Sequence, residues 1–466
     1  MDQKAKSGFR VERDTMGEMQ VPESAYYGAQ TQRAVNNFPI SGLRIPRSMI
    51  AALGLIKRSA AVVNSELGLL DAERRDTIIQ VAEEVERGEH DEHFVVDIFQ
   101  TGSGTSSNMN TNEVIAHRAN ELRQGNPKFH PNDHVNMSQS SNDVFPTAIR
   151  VAAALQIREQ LIPALETLAG SLKKKSDAFS TIVKTGRTHL MDATPITLGQ
   201  EFSGYQSQVE HGIARVKGAL QTMAELPLGG TAVGTGVNTP PQFSAKVIEQ
   251  IALRTKFPFI EAPNHFEAQA AQDELVEMSG QLKTIACSLA KVANDIRWLG
   301  SGPRCGIGEL LLPEVQPGSS IMPAKVNPVI CESLLMVCAQ VIGNDAAVTV
   351  GGYSGGIFEL NVMMPVMAYN LLQSIGLLAA GATNFARQCI DGIEPNLERI
   401  HYLAEANIST VTALAPKIGY EKAAAIAKEA YKTGSSVREI ALKHNLLPQA
   451  ELDRVLDLLA MTKPGL

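Results

Sequence analysis

The sequence has 466 residues, of which 44% are apolar and 20% charged, and its 42 basic and 49 acidic side chains give a formal net charge of −7. Such a length is too great for one hydrophobic core and predicts roughly three domains of ~150 residues each, while the composition excludes a disordered chain. The acidic balance argues against a nucleic-acid-binding surface, so an anionic ligand would have to be held by a local group of donors.

The five cysteines are odd in number and include no Cys-x-x-Cys pair. We therefore expect reduced thiols, and neither a disulfide framework nor a structural zinc site. Residues 1–7 lack the apolar stretch of a secretory signal, and Asp2, Glu12 and Asp14 disfavour a mitochondrial transit peptide. These features predict a cytoplasmic protein.

The order of apolar and polar residues predicts a mainly helical chain. Residues 1–45 are expected to be irregular, and helical periodicity then covers residues 47–66 and about 71–86. Residues 129–146 again resemble a loop, and Pro146 is expected in the first turn of a long helix that ends near Lys175. No sustained alternation of apolar and polar residues predicts a strand.

Three long helices are predicted in the second half of the chain. One has apolar residues spaced by three and four over about 24 residues, at Leu275, Met278, Leu282, Ile285, Leu289, Val292, Ile296 and Leu299. Residues 328–349 carry almost no charge after Glu332, and residues 361–386 carry none. Helices that are apolar on every face must be surrounded, so we expect several copies of the chain to share a helical bundle.

A membrane-spanning helix is the alternative for residues 361–386. Pro365, Asn370, Gln373, Ser374 and Asn384 interrupt this segment, and no lysines flank it. These features disfavour a membrane span, and we expect no membrane partner.

Two polar runs precede predicted helices, at residues 102–110 and 138–143. A helix N-terminus behind such a run offers free amides and a positive dipole end to a carboxylate. The alternative for both is ordinary helix capping by Ser, Thr or Asn. Neither run is a P-loop, because no Gly-Lys-Ser/Thr sequence follows.

Two further runs carry candidate chemistry. In residues 317–328, two prolines prevent a regular helix, and the predicted loop offers two hydroxyls, the Lys325 ammonium and the Asn327 carboxamide to an anion. The alternative is a surface turn before a helix. Residues 186–193 place His189 among small polar residues, although a single histidine is more often structural.

Two other patterns are expected to be structural. His130 and His134 lie four residues apart, but Pro131 and the loop setting argue against a helical metal pair, so no metal is expected. Residues 229–236 are rich in glycine without the lysine of a phosphate-binding loop, which favours tight backbone packing.

Residues 317–328 resemble the Gly-Ser-x-x-Met-x-x-Lys-x-Asn motif of the fumarase/aspartase superfamily. The runs at 102–110, 138–143 and 186–193 resemble the other active-site regions of class II fumarases, in the same order, and the likeness covers essentially the whole chain. It implies no cofactor.

The resemblance implies a mainly α fold with a long-helix central bundle shared in a homotetramer, whose active sites draw on three subunits. The composition changes about Asp391, and residues from Ile393 onward are predicted to form several short helices. The expected domains are an N-terminal mostly helical domain, a central bundle domain and a small C-terminal helical domain, at residues 1–139, 140–391 and 392–466.

The superfamily adds water, ammonia or larger amines across fumarate. His189, Ser141 and Phe145 favour a class II fumarase, because aspartases typically have Gln, Thr and Tyr there. The implied reaction is reversible hydration of fumarate to L-malate, a step of the tricarboxylic acid cycle. Aspartate ammonia-lyase is the nearest alternative, since residues 108–114 and 323–329 resemble aspartases as closely. A catalytically silent relative of lens crystallins is a further alternative, disfavoured by retention of the catalytic set.

The resemblance also implies roles for individual residues. Ser319 would take the C3 proton of malate, His189 would handle the water, and Glu332 would be the acidic partner of that histidine. The substrate-binding residues would be Ser103, Gly104, Thr105, Ser140, Ser141, Asn142, Thr188, Ser320, Lys325, Val326 and Asn327. A second carboxylate site would be formed by His130, Pro131, Asn132 and Asp133.

Overall fold

A computed structural model of the chain describes residues 8–465. Its first nine helices, in chain order, are α1 (Ala29–Asn37), α2 (Arg47–Glu66), α3 (Ala72–Arg87), α4 (Thr105–Leu122), α5 (Ser141–Gln156), α6 (Ile162–Ala178), α7 (Leu198–Met223), α8 (Phe243–Thr255) and α9 (His265–Ala270). The later helices are α10 (Asp273–Leu299), α11 (Val329–Gly355), α12 (Met364–Gln388), α13 (Leu397–Ala406), α14 (Ala415–Ile418), α15 (Tyr420–Thr433), α16 (Val437–Lys443) and α17 (Gln449–Val455). The predicted mainly α architecture is confirmed.

The strands are short and form two-stranded pairs. They are β1 (Phe9–Asp14), β2 (Gly17–Pro22), β3 (Val183–Thr188), β4 (Met191–Thr197), β5 (Glu225–Leu226), β6 (Ile260–Glu261), β7 (Leu310–Leu311), β8 (Gly356–Ile357), β9 (Leu360–Asn361) and β10 (Glu394–Pro395). β5 and β6 run parallel, whereas β1–β2, β3–β4, β7–β10 and β8–β9 are antiparallel.

The expectation of an irregular N-terminal segment was wrong for its described part. β1 and β2 form a hairpin in which Phe9 pairs with Pro22 and Asp14 with Gly17. Gly17 closes the turn at a φ of +120°, which favours glycine. The alternation in the sequence is brief, because Phe9 and Val11 are the only apolar residues of β1. Both are partly exposed in the structure, at 39% and 38%.

The predicted helices of the first 90 residues are confirmed in α2 and α3. Asp71 caps α3, since its carboxylate accepts a hydrogen bond from the Arg74 amide. Gly88 ends the same helix in the left-handed conformation, with φ at +87°.

The position of Pro146 differs from the prediction. Helix α5 begins at Ser141, so Pro146 lies inside the helix rather than in its first turn. The early start follows from a capping box, in which Ser140 Oγ accepts from the Asn142 amide and the Asp143 carboxylate accepts from the Ser140 amide. One π-helical turn at Ile157–Leu161 then connects α5 to α6.

The regular apolar spacing predicted for the middle of the chain belongs to α10, and all eight of its apolar positions are buried, with Leu299 the most accessible at 5%. The helix therefore buries one continuous seam, as the spacing predicted.

The chain forms two compact units, which we describe separately. Unit 1 comprises the described residues up to 163 together with 214–286 and 339–379, and unit 2 comprises 164–213, 287–338 and the described residues from 380. The division of the chain into three domains at 139 and 391 stays a prediction.

Helices α11 and α12 are long and apolar enough, by length and composition, to cross a membrane, with 39% and 50% of their most apolar windows buried. Within unit 1 their polar side chains pair with one another, as Asn344 Nδ2 donates to Gln373 Oε1 at 2.9 Å and to Ser374 Oγ at 3.0 Å. These hydrogen bonds satisfy the polar groups that the apolar composition would otherwise leave unpaired.

Candidate active site

Two of the predicted polar runs meet in unit 1. Thr105 Oγ1 lies 2.7 Å from Ser103 Oγ and 2.7 Å from Ser141 Oγ. Thr105 begins α4 and Ser141 begins α5, so these hydroxyls join two helix N-termini. The free amides and positive dipole ends of both helices suit an anionic ligand.

The run at residues 102–110 is mostly helical instead of a loop, because α4 begins at Thr105. Gly104 precedes it at a φ of +72°. A Cβ at Gly104 would lie 2.2 Å from the buried ring of Phe145, and one at Gly102 would lie 1.8 Å from the carbonyl oxygen of Val362. The glycines therefore permit close packing that brings the hydroxyls together.

Ser140 and Asn142 lie at the N-terminus of α5, and both side chains make hydrogen bonds within the chain. The Ser140 oxygen caps α5, as the capping alternative proposed, but its O–H can still donate to a ligand. Asn142 Nδ2 donates to the carbonyl of Ala232 at 2.8 Å, within the glycine-rich run 229–236. That run packs tightly, as predicted, since the Asp143 carboxylate accepts from the amides of Gly229 and Thr231 at 2.9 and 3.0 Å.

Sequence analysis missed two buried charged groups behind this cluster. Asp143 is fully buried, and burial raises its pKa. Lys57 is also fully buried, and burial lowers its pKa to about 7, although the Asp143 charge opposes that shift. A charged residue in the apolar face of α2 was the available signal for Lys57, since Leu53 and Ile56 beside it are fully buried.

His189 lies in unit 2, at the tip of a hairpin that the sequence did not predict. Strands β3 and β4 end at the pair Thr188–Met191, and the turn residues His189 and Leu190 have φ values of +57° and +62°. This is the conformation of a two-residue hairpin turn that usually carries Asn or Gly. The backbone is strained at this turn because it carries His189 and Leu190 instead, and such strain is characteristic of functional sites.

A buried ionic cluster supports this hairpin from within unit 2. Glu309 is fully buried and accepts from Arg187 through both oxygens, at 2.9 and 3.0 Å. Lys184 Nζ lies 3.3 Å from both Glu309 and Glu201, and burial raises the pKa of Glu201. Arg187 and Lys184 belong to β3, so the cluster anchors the strand that carries Thr188.

The run at residues 317–328 is an irregular loop of unit 2, as predicted. Ser319 Oγ accepts from the Ile321 and Met322 amides at 3.3 and 2.9 Å. Lys325 Nζ donates to Asn327 Oδ1, and Asn327 Nδ2 donates to the Gly318 carbonyl, both at 2.6 Å. Ser320 and Val326 are exposed on the same loop. The loop thus holds its own donors together at an accessible surface.

Glu332 follows this loop, in the first turn of α11, and its side chain is exposed. Among residues 8–465 of a single chain, no hydrogen bond or ion pair joins Glu332 to His189. Each belongs to unit 2, yet the pairing implied by resemblance is not made within one copy.

The residues predicted for a second carboxylate site form one π-helical turn, Pro131–Val135, with His130 before it. His130 Nδ1 accepts from the Asp133 amide at 3.2 Å, and His134 Nδ1 accepts from the His130 amide at 2.8 Å. Asn132 lines a cavity of about 690 Å³ whose wall also includes His130, Pro131, Arg13 and Lys128. Between residues 8 and 465, no group of three or more His, Cys, Asp or Glu side chains could hold a metal ion.

Comparison with known proteins shows the family. Residues 17–343 match the family described as Lyase, and residues 411–463 match that described as Fumarase C C-terminus. The Fumarate hydratase class II of Neisseria meningitidis is 54% identical over 450 residues, which cover 96% of this chain and 97% of that protein. The chain belongs to the class II fumarate hydratase family.

Other class II fumarate hydratases support the same assignment. The Fumarate hydratase class II of Nitrosomonas europaea is 54% identical over 459 residues, covering 98% of this chain and 99% of that protein. The crystal structure of class II fumarase from Schistosoma mansoni superimposes with a TM-score of 0.94 at 39% identity, covering 97% of this chain and 99% of that one. The predicted fumarase/aspartase fold is thereby confirmed.

Proposed function

We propose that this chain is a lyase that catalyses the reversible hydration of fumarate to L-malate, by anti addition of water across the double bond. The observation that carries this proposal is 54% identity, over nearly the full length of both chains, to proteins named Fumarate hydratase class II. His189 stands where aspartases typically have glutamine, which favours water over ammonia as the added molecule.

The proposed mechanism follows from the charge of the substrate. Malate is a dianion, and removal of its C3 proton places further negative charge on the adjacent carboxylate. A catalyst must hold this intermediate more tightly than malate itself. The hydroxyls of Ser103, Thr105 and Ser141, at two helix N-termini, suit one carboxylate, and the Lys325 ammonium with Asn327 suits the other. Gly104, Ser140, Asn142, Thr188, Ser320 and Val326 complete the proposed binding set.

Ser319 is the proposed base that takes the C3 proton. A serine hydroxyl is a weak base, so its alkoxide must be stabilised by the surroundings. The amides of Ile321 and Met322 donate to Ser319 Oγ, and Lys325 lies on the same loop. These donors favour negative charge on the oxygen, which is the form that accepts a proton.

His189 is the proposed residue for protonating or activating the hydroxyl group that leaves or enters as water, since an imidazole ring can both donate and accept a proton. Glu332 is its proposed acidic partner. In one chain Glu332 is exposed and makes no hydrogen bond or ion pair with His189 within residues 8–465. This favours a pairing in which the two residues come from different copies.

The proposed assembly is a homotetramer with shared active sites. Helix α11 is predominantly apolar, yet Met336, Val350 and Tyr353 are 68%, 42% and 77% exposed in the single chain. An apolar helix surface of this kind is stable when other helices cover it, and further copies of the chain supply such helices. The proposed location is the cytoplasm. His130, Pro131, Asn132 and Asp133 are proposed as a second carboxylate site, and the first three of them line the cavity described above.

One assay tests the reaction. Purified protein is mixed with fumarate, and ultraviolet absorbance of the double bond is followed with and without ammonium. We expect absorbance to fall without ammonium and L-malate to form. Loss of absorbance only when ammonium is present, with aspartate as product, would contradict the proposal, and so would no loss under either condition.

A further inference from the structure

Lys57 has no role in the mechanism above, yet it lies behind the unit 1 hydroxyl cluster. We propose that Lys57 is a positioning residue, whose ammonium ties together the two segments that present Thr105 and Ser141 to a substrate carboxylate. This inference rests on the proposed function and extends it to a residue outside the proposed binding set.

The environment of Lys57 is unusual for a lysine. It lies in the middle of α2 and is fully buried, with Leu53 and Ile56 fully buried and Ala60 1% exposed beside it. A lysine is rarely buried in this way unless specific partners satisfy its ammonium. Its presence therefore depends on what the ammonium contacts.

The ammonium has three N–H groups and makes three hydrogen bonds. Nζ donates to Asn108 Oδ1 at 2.8 Å, to Asn136 Oδ1 at 2.9 Å and to Gln139 Oε1 at 3.0 Å. All three acceptors are neutral carboxamides. Because these acceptors come from two different segments, the geometry favours a role in holding the segments together.

The three acceptors lie beside the proposed carboxylate-binding residues. Asn108 is in the first turn of α4, three residues after Thr105. Gln139 immediately precedes Ser140, the cap of α5, and Asn136 lies in the connection before it. One ammonium thus joins the start of α4 to the segment that leads into α5.

The amides also bond to one another. Asn108 Nδ2 donates to Asn136 Oδ1, and Asn136 Nδ2 donates to the backbone carbonyl of Gln139, each at 3.2 Å. Removing the ammonium would leave three buried or half-buried carbonyl oxygens without their strongest donor. We expect the two segments then to separate or rotate, which would misplace the hydroxyls.

A second residue of α2 holds the same connection. Asn64, two turns after Lys57 and fully buried, donates to the Met137 carbonyl at 3.0 Å and accepts from Ser138 Oγ at 2.8 Å. Ser138 has a φ of +61°, which an L-residue adopts at a cost. One face of α2 therefore supports the segment before α5 at two points.

The test compares Lys57→Met, which keeps length and removes the donors, with Leu53→Ala on the same helix. Leu53→Ala creates a cavity and lowers stability, but Leu53 donates no hydrogen bond to either segment. Both variants are assayed below their unfolding transitions. We expect Lys57→Met to raise KM for fumarate and L-malate at least tenfold, with a smaller effect on kcat, and Leu53→Ala to keep the wild-type KM.

A milder variant covers the case in which Lys57→Met fails to fold. Asn136→Ala removes one of the three acceptors, and we expect it to raise KM about threefold to tenfold with kcat little changed. Wild-type KM in a folded Lys57→Met protein, or in Asn136→Ala when Lys57→Met does not fold, would overturn the inference. An equal rise of KM in Leu53→Ala would also overturn it, because general destabilisation would then explain the effect.

Binding measurements separate this inference from the proposed function. Calorimetric titration with succinate, a saturated dicarboxylate that can be neither hydrated nor dehydrated, reports dicarboxylate binding without turnover. Wild-type protein that binds succinate but shows no hydration of fumarate would contradict the proposed function, while weaker succinate binding in Lys57→Met would still support the role of Lys57. Wild-type protein that binds no dicarboxylate would overturn both.

Discussion

Ser319 has the most demanding role in the proposed mechanism, because its hydroxyl must act as a base. We predict that Ser319→Ala lowers kcat by at least about 100-fold, the lower range for loss of a general base, while the Kd for succinate, a dicarboxylate that does not react, changes little. The binding donors of Thr105, Ser141 and Lys325 remain in this variant. Steady-state kinetics and calorimetric titration would measure the two effects.

Ser203→Ala is the matched control for that experiment. The Ser203 hydroxyl is exposed and bonds locally to the Gln200 carbonyl at 2.7 Å. We expect this variant to keep wild-type kinetics. Turnover close to that of the wild type in Ser319→Ala would remove Ser319 from the mechanism.

Glu309 is a buried charged residue that is expected to stabilise the folded chain without contacting a substrate. It is fully buried between Arg187 and Lys184, so Glu309→Ala would leave two cations without their shared partner. We predict a loss of about 3–5 kcal/mol in the free energy of unfolding, measured by urea denaturation.

The control for Glu309 is an exposed ion pair in the same unit. Asp177 lies 2.9 Å from Lys173, and both side chains are more than half exposed. Asp177→Ala should change the free energy of unfolding by less than about 1 kcal/mol. Similar losses in the two variants would contradict the importance of burial.

At the scale of elements, the sequence predicts long helices far better than hairpins. In α10 eight apolar positions repeat over seven turns, and every one is buried, so the period is unmistakable. In β3 the residues Lys184, Thr185 and Gly186 are buried in succession, stabilised by an ionic cluster and by tertiary contacts. No alternation remains to predict such a strand.

The candidate site was predictable only in part, for a related reason. Polar runs before helices indicated where Thr105, Ser141 and the 317–328 loop would lie. The contacts between those runs depend on tertiary structure, as does the burial of Lys57 and Asp143. The traces that this support leaves in the sequence are two polar residues, Lys57 and Asn64, among the apolar residues of α2.

The β3–β4 turn provides a prediction about strain. Leu190 has a φ of +62° and is 70% exposed, so its side chain contributes little packing in the chain. Leu190→Gly removes a conformational cost of about 1–2 kcal/mol and adds the entropy cost of glycine. We predict a net gain of a few tenths to about 1 kcal/mol in the free energy of unfolding, measured by thermal unfolding.

Leu253→Gly is the control of opposite sign. Leu253 is 65% exposed but lies in helix α8, where glycine is unfavourable by about 1 kcal/mol. Thermal unfolding should therefore occur at a lower temperature in this variant. A destabilised Leu190→Gly protein would show that the Leu190 side chain contributes more than its strain costs.

At the scale of the whole molecule, the proposed site residues fall into two groups that belong to different units of the chain. Thr105 and Ser141 belong to unit 1, whereas Ser319 and Lys325 belong to unit 2. Under the proposed assembly, each active site takes these groups from different copies of the chain. Two inactive variants, each damaged in one group, should then restore activity when they assemble together.

We predict that Thr105→Val and Ser319→Ala chains, inactive alone, recover activity when co-expressed. If the two kinds of chain mix at random and each site takes one group of residues from each of two copies, about a quarter of the sites have both groups intact. Ser319→Ala with Lys325→Ala is the control, since both changes lie on one loop and no copy then supplies an intact one. If each site were built within one chain, every site in the first mixture would contain one damaged group and the mixture would be no more active than the control. That result would contradict the shared site.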